Sequence, residues 1–383
     1  MARNRVIYQS EALYVSSGHN STGIHDHAQL NRVQSANYNF SISRQDINQY
    51  GQLSRIDTLV LEPPTVNLDL SYYLTDGFNE RALGFLVQNS SSATSGNFAS
   101  GHMTASSGKN LYIITNAEGF DAVRNTGNSA TSVIGVGNAF LSNYSLELAI
   151  GSLPTVSVSF EGANINANSS IGYGVGSING QVATGWTGVV VPSINSTNGT
   201  NLFLTGALPF ASTNSSGQTL TALRPGDIVM DISAFQPSGI ASLANTADGV
   251  HIQSASLSLP LSRSPLQRLG SKFPFARTVD FPVKATLSVK AIVNEISAVN
   301  LAEIIKTTSE KDISITLKQE DGSTDAIKIF LRGCTLDSES FSSSIGSNKS
   351  VDLTFSTQIG GPRDLDRGIL MSGSNSAAVF GNP

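Results

Sequence analysis

The stretch Val33–Leu74 reads VQSANYNFSISRQDINQYGQLSRIDTLVLEPPTVNLDLSYYL, and the chain contains a second version of it. That second version, Ile252–Val293, reads IQSASLSLPLSRSPLQRLGSKFPFARTVDFPVKATLSVKAIV. A shift of 219 positions aligns the two without a gap and gives nine identities in 42 positions. Apolar residues also align with apolar residues, as at Phe40 and Leu259. An internal repeat of this length indicates that one structural unit occurs twice.

Each version predicts two β-strands joined by a long connection. In the first version, apolar and polar residues alternate through Val33–Ile42 and again through Val66–Tyr72, which is the period of a strand with one polar face. Pro63 and Pro64 stand just before the second strand, where proline removes no hydrogen bond from a sheet. Both connections carry a Ser-Arg pair followed by a glycine, so we expect the same loop geometry twice.

A second pair of matching segments extends the repeat beyond these strands. Ile-Gly-Ser at Ile150–Ser152 matches Ile-Gly-Ser at Ile345–Ser347 with a shift of 195, so the first copy holds 24 more residues between the matches. We expect those extra residues in the polar loop Asn89–Lys109. Asn79–Val87 predicts a short helix, and Leu301–Ile305 predicts its equivalent in the second copy. Each copy therefore predicts a strand, a long connection, a strand, a helix and two hairpins.

These patterns divide the chain into four parts. Residues 1–162 and 223–361 are predicted as two copies of one β-rich unit, and residues 163–222 as a Gly/Ser/Asn-rich β insertion between them. A strand predicted at Asp227–Ile232 is expected to open the second copy. Residues 362–383 are rich in Gly, Ser and Asn and are predicted as an extended C-terminal arm. The fold class expected from the sequence is mainly β.

Composition and charge exclude several classes of protein. Only 13% of the residues are charged and the net charge is -5, without a basic run longer than a pair, which argues against tight binding to phosphates. A single cysteine, Cys334, excludes an internal disulfide framework. The first residues contain no apolar core of a secretory signal, and no apolar stretch approaches the roughly 18 residues that cross a membrane as a helix. We therefore expect a folded protein without a membrane partner.

The sequence contains no recognisable catalytic constellation. No Gly-x-Ser-x-Gly elbow occurs, and glycine strings such as Gly172–Gly176 lack the spacing of a dinucleotide-binding loop. Cys334 falls within a predicted strand, so we expect a small buried side chain there. His25, Asp26 and His27 crowd three potential ligands into one loop, but a structural zinc site needs four, so we expect a solvated loop and leave a metal open. The sequence predicts no enzyme and no cofactor.

The two copies also contain three phrases that point to a family. They are RVQSANYNFSISRQDINQYGQLSRIDTLVLEPPTV at Arg32–Val66, AFLSNYSLELAIGSLPTVSVSFEG at Ala139–Gly162 and LDSESFSSSIGSNKSVDLTFSTQIGGP at Leu336–Pro362. These phrases resemble the tail tube (major tail) proteins of tailed bacteriophages, in the larger type whose domain is duplicated. The resemblance covers both copies and excludes the middle region.

This resemblance implies an architecture and a set of partners. Each unit would be a tail-tube-like β-sandwich or barrel with one short flanking helix. Non-duplicated relatives form hexameric rings, so a duplicated chain implies homotrimeric rings with pseudo-sixfold symmetry, stacked into a tube that delivers the genome. The implied location is the virion. The implied partners are other copies of the chain, other tail proteins at the tube ends and double-stranded DNA that passes without tight binding.

A bore that passes DNA should not retain it, because each phosphate contact would add binding energy at every step along the duplex. The predicted polar strand faces carry Ser, Thr and Asn with a few acids, which are Asp69, Glu147 and Glu161. We expect these three acids to line the bore. Lys290 and Lys349 in the second copy run against this pattern.

The repeated connections are the expected contacts between subunits. Arg44 and Gly51 in the first copy align with Arg263 and Gly270 in the second, and we expect these four residues to lie in loops that reach a neighbouring chain or ring. The C-terminal arm is expected to make similar contacts.

Two other classes of protein share this composition. One is another β-rich virion protein, such as a capsid decoration protein or a distal tail component, which would not need two equivalent units that close a ring. The other is a surface adhesin or carbohydrate-binding protein, which would suit the polar middle region and its single tryptophan, Trp186. Stacked rings, single particles or monomers in electron micrographs would separate these classes.

Overall fold

A computed structural model describes residues 11–17, 27–88, 96–104, 108–116, 122, 131–169, 172–178, 181–190, 192–194, 205–209, 225–232, 250–271, 273–293, 310–343 and 348–373. Within these ranges the chain is mainly β with two short helices, which confirms the fold class expected from composition and alternation. The elements as far as the predicted middle region are β1 Glu11–Ser17, β2 His27–Gln29, β3 Val33–Ser41, β4 Arg44–Ile47, β5 Asp57–Val60, β6 Thr65–Tyr73, α1 Phe78–Leu83, β7 Val87–Gln88, α2 Ser100–Thr104, β8 Lys109–Thr115, β9 Ser132–Ala149 and β10 Thr155–Gly162. The next strand, β11 Asn164–Ser169, falls in the predicted middle region but pairs with β9 of the first copy.

The middle region and the second copy contribute the remaining described strands. They are β12 Gly172–Ile178, β13 Gln181–Val190, β14 Thr205–Pro209, β15 Ile228–Asp231, β16 Val250–Pro260, β17 Arg263–Leu266, β18 Ala276–Val279, β19 Lys284–Val293, β20 Lys311–Lys318, β21 Asp325–Ser342, β22 Ser350–Gln358 and β23 Gly368–Gly373, with a 3₁₀ turn at Pro225–Asp227. We call β1–β11 the first half and β15–β23 the second half.

An antiparallel sheet of eight strands, which we call the central sheet, runs through both halves. Its order is β3-β6-β10-β9-β16-β19-β22-β21. Alternation along each strand buries one face and leaves the other polar, as on β6, where Leu68 and Leu70 are buried and Asp69 is exposed. The buried face of both halves belongs to a single cluster of apolar side chains, so the hydrophobic core is continuous across the chain.

The two halves of the central sheet have the same strand order and the same register. β3-β6-β10-β9 in the first half corresponds to β16-β19-β22-β21 in the second. Ser35 opposite Ser71 corresponds, after a shift of 219, to Ser254 opposite Lys290. The equivalence extends to a side-chain contact, because Gln34 Nε2 and Gln253 Nε2 each donate to the carbonyl two residues earlier, at 3.0 and 3.2 Å.

Irregularities in the strands also recur at equivalent positions. The pairing of β9 with β10 slips between Ser159 and Phe160, and that of β22 with β21 slips at the positions 195 residues later. A second irregularity lies where β9 and β21 leave the central sheet. Asn138 and Gly333 occupy it with φ angles of 51° and 63°, in the left-handed region that glycine and asparagine tolerate best.

Beyond these bends, the long strands β9 and β21 continue into an outer layer that covers the core. In the first half β9 pairs there with β8 and β11, and β8 pairs with β1. In the second half β21 pairs with β20 and β23, and β20 pairs with β15. β15 thus occupies the place of β1, as the strand predicted at Asp227–Ile232 was expected to do.

The middle region forms a small sheet, β12-β13-β14, against the outer layer of the first half. Val189 and Leu208 are buried in one cluster with Tyr14 and Tyr112. The backbone N–H of Ile194 donates to the Asn138 side chain at 2.8 Å. These contacts attach the insertion to the side of the first half that faces away from the polar face of the central sheet.

Several expectations need adjustment against the described residues. The first helix ends at Leu83, well before Val87, because Gly84 takes a left-handed conformation with φ of 107° and closes the last turn. The equivalent helix expected at Leu301–Ile305 lies outside the described residues. Within the expected arm 362–383, Gly368–Gly373 is the buried strand β23, so this part belongs to the sheet.

Helix α1 is tied to the central sheet by a buried carboxyl group. The Tyr72 hydroxyl donates to Glu80 Oε1 at 2.8 Å, and Glu80 is fully buried. Burial raises the pKa of Glu80 from 4.5 to about 7, and the charge of Asp76 adds to the rise. Because the folded-state pKa lies above that of the unfolded chain, the stability linked to this proton is present at low pH and is lost as pH rises through about 7.

We expect Glu80→Gln to flatten the pH dependence of stability, because the amide keeps an acceptor for Tyr72 and cannot ionise. Between about pH 5 and about pH 7, where the unfolded chain has lost this proton and the folded chain still holds it, the melting temperature of the unmodified chain should fall more steeply than that of the variant. Thermal melts followed by circular dichroism measure this. Glu147→Gln, on the exposed face of β9, is the control and should keep the unmodified slope; equal slopes for all three proteins would contradict the prediction.

Candidate assembly interface

The central sheet has two edges that pair with no other strand among the described residues. One edge is β3, which pairs only with β6. The other is the inner part of β21, residues 335–342, which pairs only with β22. An unpaired edge presents a row of free backbone donors and acceptors and is a template for adding a strand.

The same two edges meet inside the chain, where the halves join. β9 is the equivalent of β21 and β16 is the equivalent of β3, and the two pair in antiparallel fashion. We call this pairing the internal seam. On its core side Leu146 lies opposite Leu257 and Tyr144 lies opposite Leu259, and these four side chains are at most 2% exposed. The internal seam therefore shows how one copy of the unit joins the next.

At the free edges the equivalent apolar side chains lie open to solvent. Tyr38, the equivalent of Leu257, is 42% exposed, and Phe341, the equivalent of Leu146, is 52% exposed. Phe40 next along β3 is 57% exposed. These aromatic side chains are about half exposed at an unpaired edge. Adding a strand would remove them from water, and the burial of apolar surface favours pairing.

The hairpin β17–β18 of the second half packs on the first half beside the internal seam. Arg263 Nη2 donates to the His102 carbonyl at 2.7 Å, and its guanidinium lies 5.0 Å from the Phe140 ring centroid. Arg277 forms an ion pair with Glu161 at 3.5 Å, and its side chain is only 11% exposed. Of the residues predicted for loop contacts, Arg263 therefore contacts the other half of its own chain.

The equivalent hairpin β4–β5 is exposed along almost its whole length. Arg44 is exposed. Gly51 and Gly270 hold the same turn in the two hairpins, with φ of 84° and 82° and open space around both. The exposed apolar side chains on and beside β4–β5 are Ile42, Ile47, Tyr50, Leu53, Ile56, Leu59, Val60 and Leu61.

The three acids predicted for the bore lie on one face of the central sheet. Asp69 and Glu147 are exposed, and Glu161 is half-buried beside Arg277. The hydroxyl of Ser159 donates to Asp69 Oδ1 at 2.6 Å. In the second half, Lys290 and Asp352 lie opposite each other on this same face. The polar face of the second half is therefore not uniformly negative.

Hydroxyl groups dominate the polar face between these charges. One row crosses all eight strands and consists only of serine and threonine. Its members are Ser35, Ser71, Ser157, Ser145, Ser258, Thr286, Ser356 and Thr335. Uncharged hydroxyls offer no fixed cation to a phosphate, so this face does not favour tight binding of nucleic acid.

The other chemical candidates do not converge on a site. Among the described residues no cluster of three His, Cys, Asp or Glu side chains could hold a metal, and His25 and Asp26 lie outside the described ranges. Cys334 is buried as expected, and burial raises the pKa of its thiol to about 12. His102 is also buried, which lowers its pKa to about 3 and keeps the ring neutral.

Sequence patterns missed two features of the described structure, one at this interface and one in the core. The alternation in Val33–Ile42 predicts one buried face, whereas the core-side aromatics Tyr38 and Phe40 are exposed because β3 is an edge. A signal was available, since the equivalent positions in the second copy, Leu257 and Leu259, carry smaller aliphatic side chains. Glu80 gave no signal, because a carboxylate near a helix start is ordinarily exposed.

Comparison with models of known protein families gives no match, and comparison with curated proteins gives none either. None of the helices in the described ranges has the length and apolar character needed to cross a bilayer.

The two equivalent arginines provide a paired test of this geometry. Arg263→Ala removes a charged hydrogen bond and a cation–π contact, so we expect the free energy of unfolding to fall by about 2 kcal/mol. Arg44→Ala, at the exposed equivalent, should change it by less than about 0.5 kcal/mol. Urea denaturation of both variants gives the values. Similar losses in the two variants would show that the hairpins are equivalently packed in the free chain.

Proposed function

We propose that the chain is a structural subunit of the tail tube type, built from two tandem copies of one unit, which joins other copies into rings that stack as a tube. The observation that carries the proposal is the pair of free edges, β21 and β3, whose equivalents β9 and β16 already pair inside the chain. Repeating the internal seam between chains joins β21 of one molecule to β3 of the next.

A contact of this kind is heterologous, because two different surfaces meet, and it produces a closed ring when the rotation between units returns to the start. Each chain supplies two units that are related by the internal seam. The resemblance to tail tube proteins gives six units to a ring, and thus three chains. The two copies then alternate around the ring with pseudo-sixfold symmetry.

The side of the sheet that faces the bore follows from the layers. The core and the outer layer cover one face of the central sheet, so closing the sheet with the bulkier side outward turns the polar face inward. Asp69, Glu147 and Glu161 then line the bore together with the row of hydroxyls. Double-stranded DNA is the partner that this lining admits without holding, and other tail proteins are the proposed partners at the tube ends in a virion.

The internal seam predicts the register between chains. Ser145 opposite Ser258 corresponds to Ser340 of one chain opposite Asn39 of the next. We expect the double variant Asn39→Cys with Ser340→Cys to form an intermolecular disulfide under mild oxidation, because directly opposite residues bring their Cβ atoms within about 5.5 Å. Non-reducing gel electrophoresis should show covalent trimers, and electron microscopy should show rings and stacked tubes.

The matched control is Asn39→Cys with Ser342→Cys, which moves one cysteine by two residues on the same face and separates the Cβ atoms by about 7–8 Å. It should cross-link poorly. The native Cys334 is buried and remains in both variants. Equal cross-linking of the two variants would contradict the register, and the absence of rings at any concentration would contradict the proposed function.

Charge reversal in the bore should turn a passage that does not retain DNA into a binding surface. In assembled tubes, Asp69→Lys with Glu147→Lys should retain duplex DNA at low salt and release it as salt rises, because lysine contacts release counterions from phosphates. Asp325→Lys, at the outer end of β21, is the control and should behave like the unmodified tube. Fluorescent DNA sedimenting with tubes at several salt concentrations measures this; equal retention by the two variants would argue against an inward polar face.

A further inference from the structure

A cavity opens beside the free edge β3, between this strand and the outer layer. Its volume is about 200 Å³, and its floor is made by Leu13, Leu30 and Ile113, which belong to the hydrophobic core. Val33 and Ala36 of β3 form one wall, and the rim is polar. An apolar cavity of about 150 Å³ holds a benzene ring, so this cavity has room for the ring of a phenylalanine.

The internal seam shows what closes the equivalent place in the second half. There Leu148 of β9 lies opposite Ala255, the equivalent of Ala36, and Leu148 is only 5% exposed. When the same seam forms between two chains, the equivalent of Leu148 is Ser343, which is exposed in the free chain. A serine side chain is too short to fill the cavity beside Ala36, and a void left there would forfeit packing contacts.

Phe341 on the free edge strand β21 has the size and the position to fill this cavity in a neighbouring chain. Its side chain lies on the core side of the sheet, because its partner on β22, Val351, is buried. It is nevertheless 52% exposed in the free chain. Repeating the internal seam places Phe341 opposite Tyr38 and therefore diagonal to Ala36. Diagonal neighbours on one face of a sheet lie within reach of aromatic side chains.

The two seams thus distribute apolar volume differently along the edge strand. The internal seam uses two leucines, Leu146 and Leu148, at these positions of β9. The free edge has the larger Phe341 followed by the small Ser343. A phenyl ring that leans toward the cavity would therefore supply the volume that the second leucine supplies inside the chain.

We propose that the cavity beside β3 is a socket for the Phe341 ring of a second copy of this chain. The inference rests on the proposed function, since the seam between chains brings the two together. Insertion removes a half-exposed ring from water and fills a space that would otherwise stay empty at the seam. Aromatic anchors in well-packed pockets carry a large share of the energy of an interface. The socket also opposes a slip of the strand register by two residues, which would bring Ser343 or Glu339 there instead.

Removing the ring should weaken assembly. Phe341→Ala should raise the assembly concentration, at which half of the chains are in rings or tubes, at least about tenfold. Phe341→Leu places the residue of the internal seam there and should raise it by a smaller factor. Sedimentation velocity across a dilution series measures the assembly concentration, and electron microscopy identifies rings and tubes.

Filling the socket from its own chain tests whether the ring enters it. Ala36→Leu should raise the assembly concentration of the unmodified chain about tenfold, because a leucine side chain and a phenyl ring cannot share the cavity. Added to Phe341→Ala, the same change should shift the assembly concentration by less than about twofold, because the leucine takes the space that the ring has left. Such non-additivity indicates that the two side chains occupy one site.

The matched control is Phe281→Ala, which removes a phenylalanine that is 61% exposed on the connection between β18 and β19. Phe281 lies on neither free edge, so the assembly concentration should stay within about twofold of the unmodified value. Circular dichroism spectra that coincide with the unmodified protein establish that each variant is folded, and Phe341→Leu serves if Phe341→Ala does not fold.

The outcomes separate the socket from the function on which it rests. Higher assembly concentrations for Phe341→Ala and Ala36→Leu, without a further rise in the double variant, support the socket. An unchanged value for Phe341→Ala, with rings still formed, overturns the socket and leaves the ring proposal intact. Additive effects also overturn it, because the cavity would then hold another segment of the chain or remain empty. Equal rises for Phe281→Ala and Phe341→Ala overturn it too, since loss of any exposed ring would explain both. Absence of rings in every protein overturns the ring proposal itself and the socket with it.

Discussion

Backbone pairing between β9 and β16 is the interaction on which the rest of the molecule depends. It joins two four-stranded sheets into one sheet of eight strands and one continuous core. The pairing is held by the ladder of antiparallel hydrogen bonds and by buried apolar pairs on the core side. Without this seam each half would expose a second apolar edge, which is a liability for any sheet. The internal seam pairs two of the four edges of these sheets, β9 and β16. The other two edges, β3 and the inner part of β21, remain exposed.

Much of the central sheet could be predicted from the sequence, because a two-residue period and a repeat leave direct traces. The shift of 219 between Ser35 and Ser254 is the shift that the strand pairing follows, and the second shift of 195 between Gly151 and Gly346 applies to β9, β10, β21 and β22. Hairpin glycines and the alternation on β6 were sufficient to identify the strands and their polar face.

Other features could not be read from the sequence, since they depend on which strands become neighbours. The long strands β9 and β21 each belong to two layers, and the bends at Asn138 and Gly333 interrupt the alternation along them, so the local pattern does not show that each is one continuous strand. Exposure of Tyr38 and Phe40 follows from an edge position, which no local pattern encodes. Glu80 is buried because α1 packs on Tyr72, and this contact too depends on which elements become neighbours in the fold.

The end of the chain has a mechanical consequence. β23, near the C-terminus, pairs with β21 on one side and with β7 of the first half on the other, and the Phe98 N–H donates to the Ile369 carbonyl at 2.7 Å. The two halves are therefore fastened in two layers, at the internal seam and at β7–β23. In the proposed ring, outward pressure would pull across the strands, along the hydrogen bonds between them. Two pairings in different layers would then share that load between the two halves of each chain.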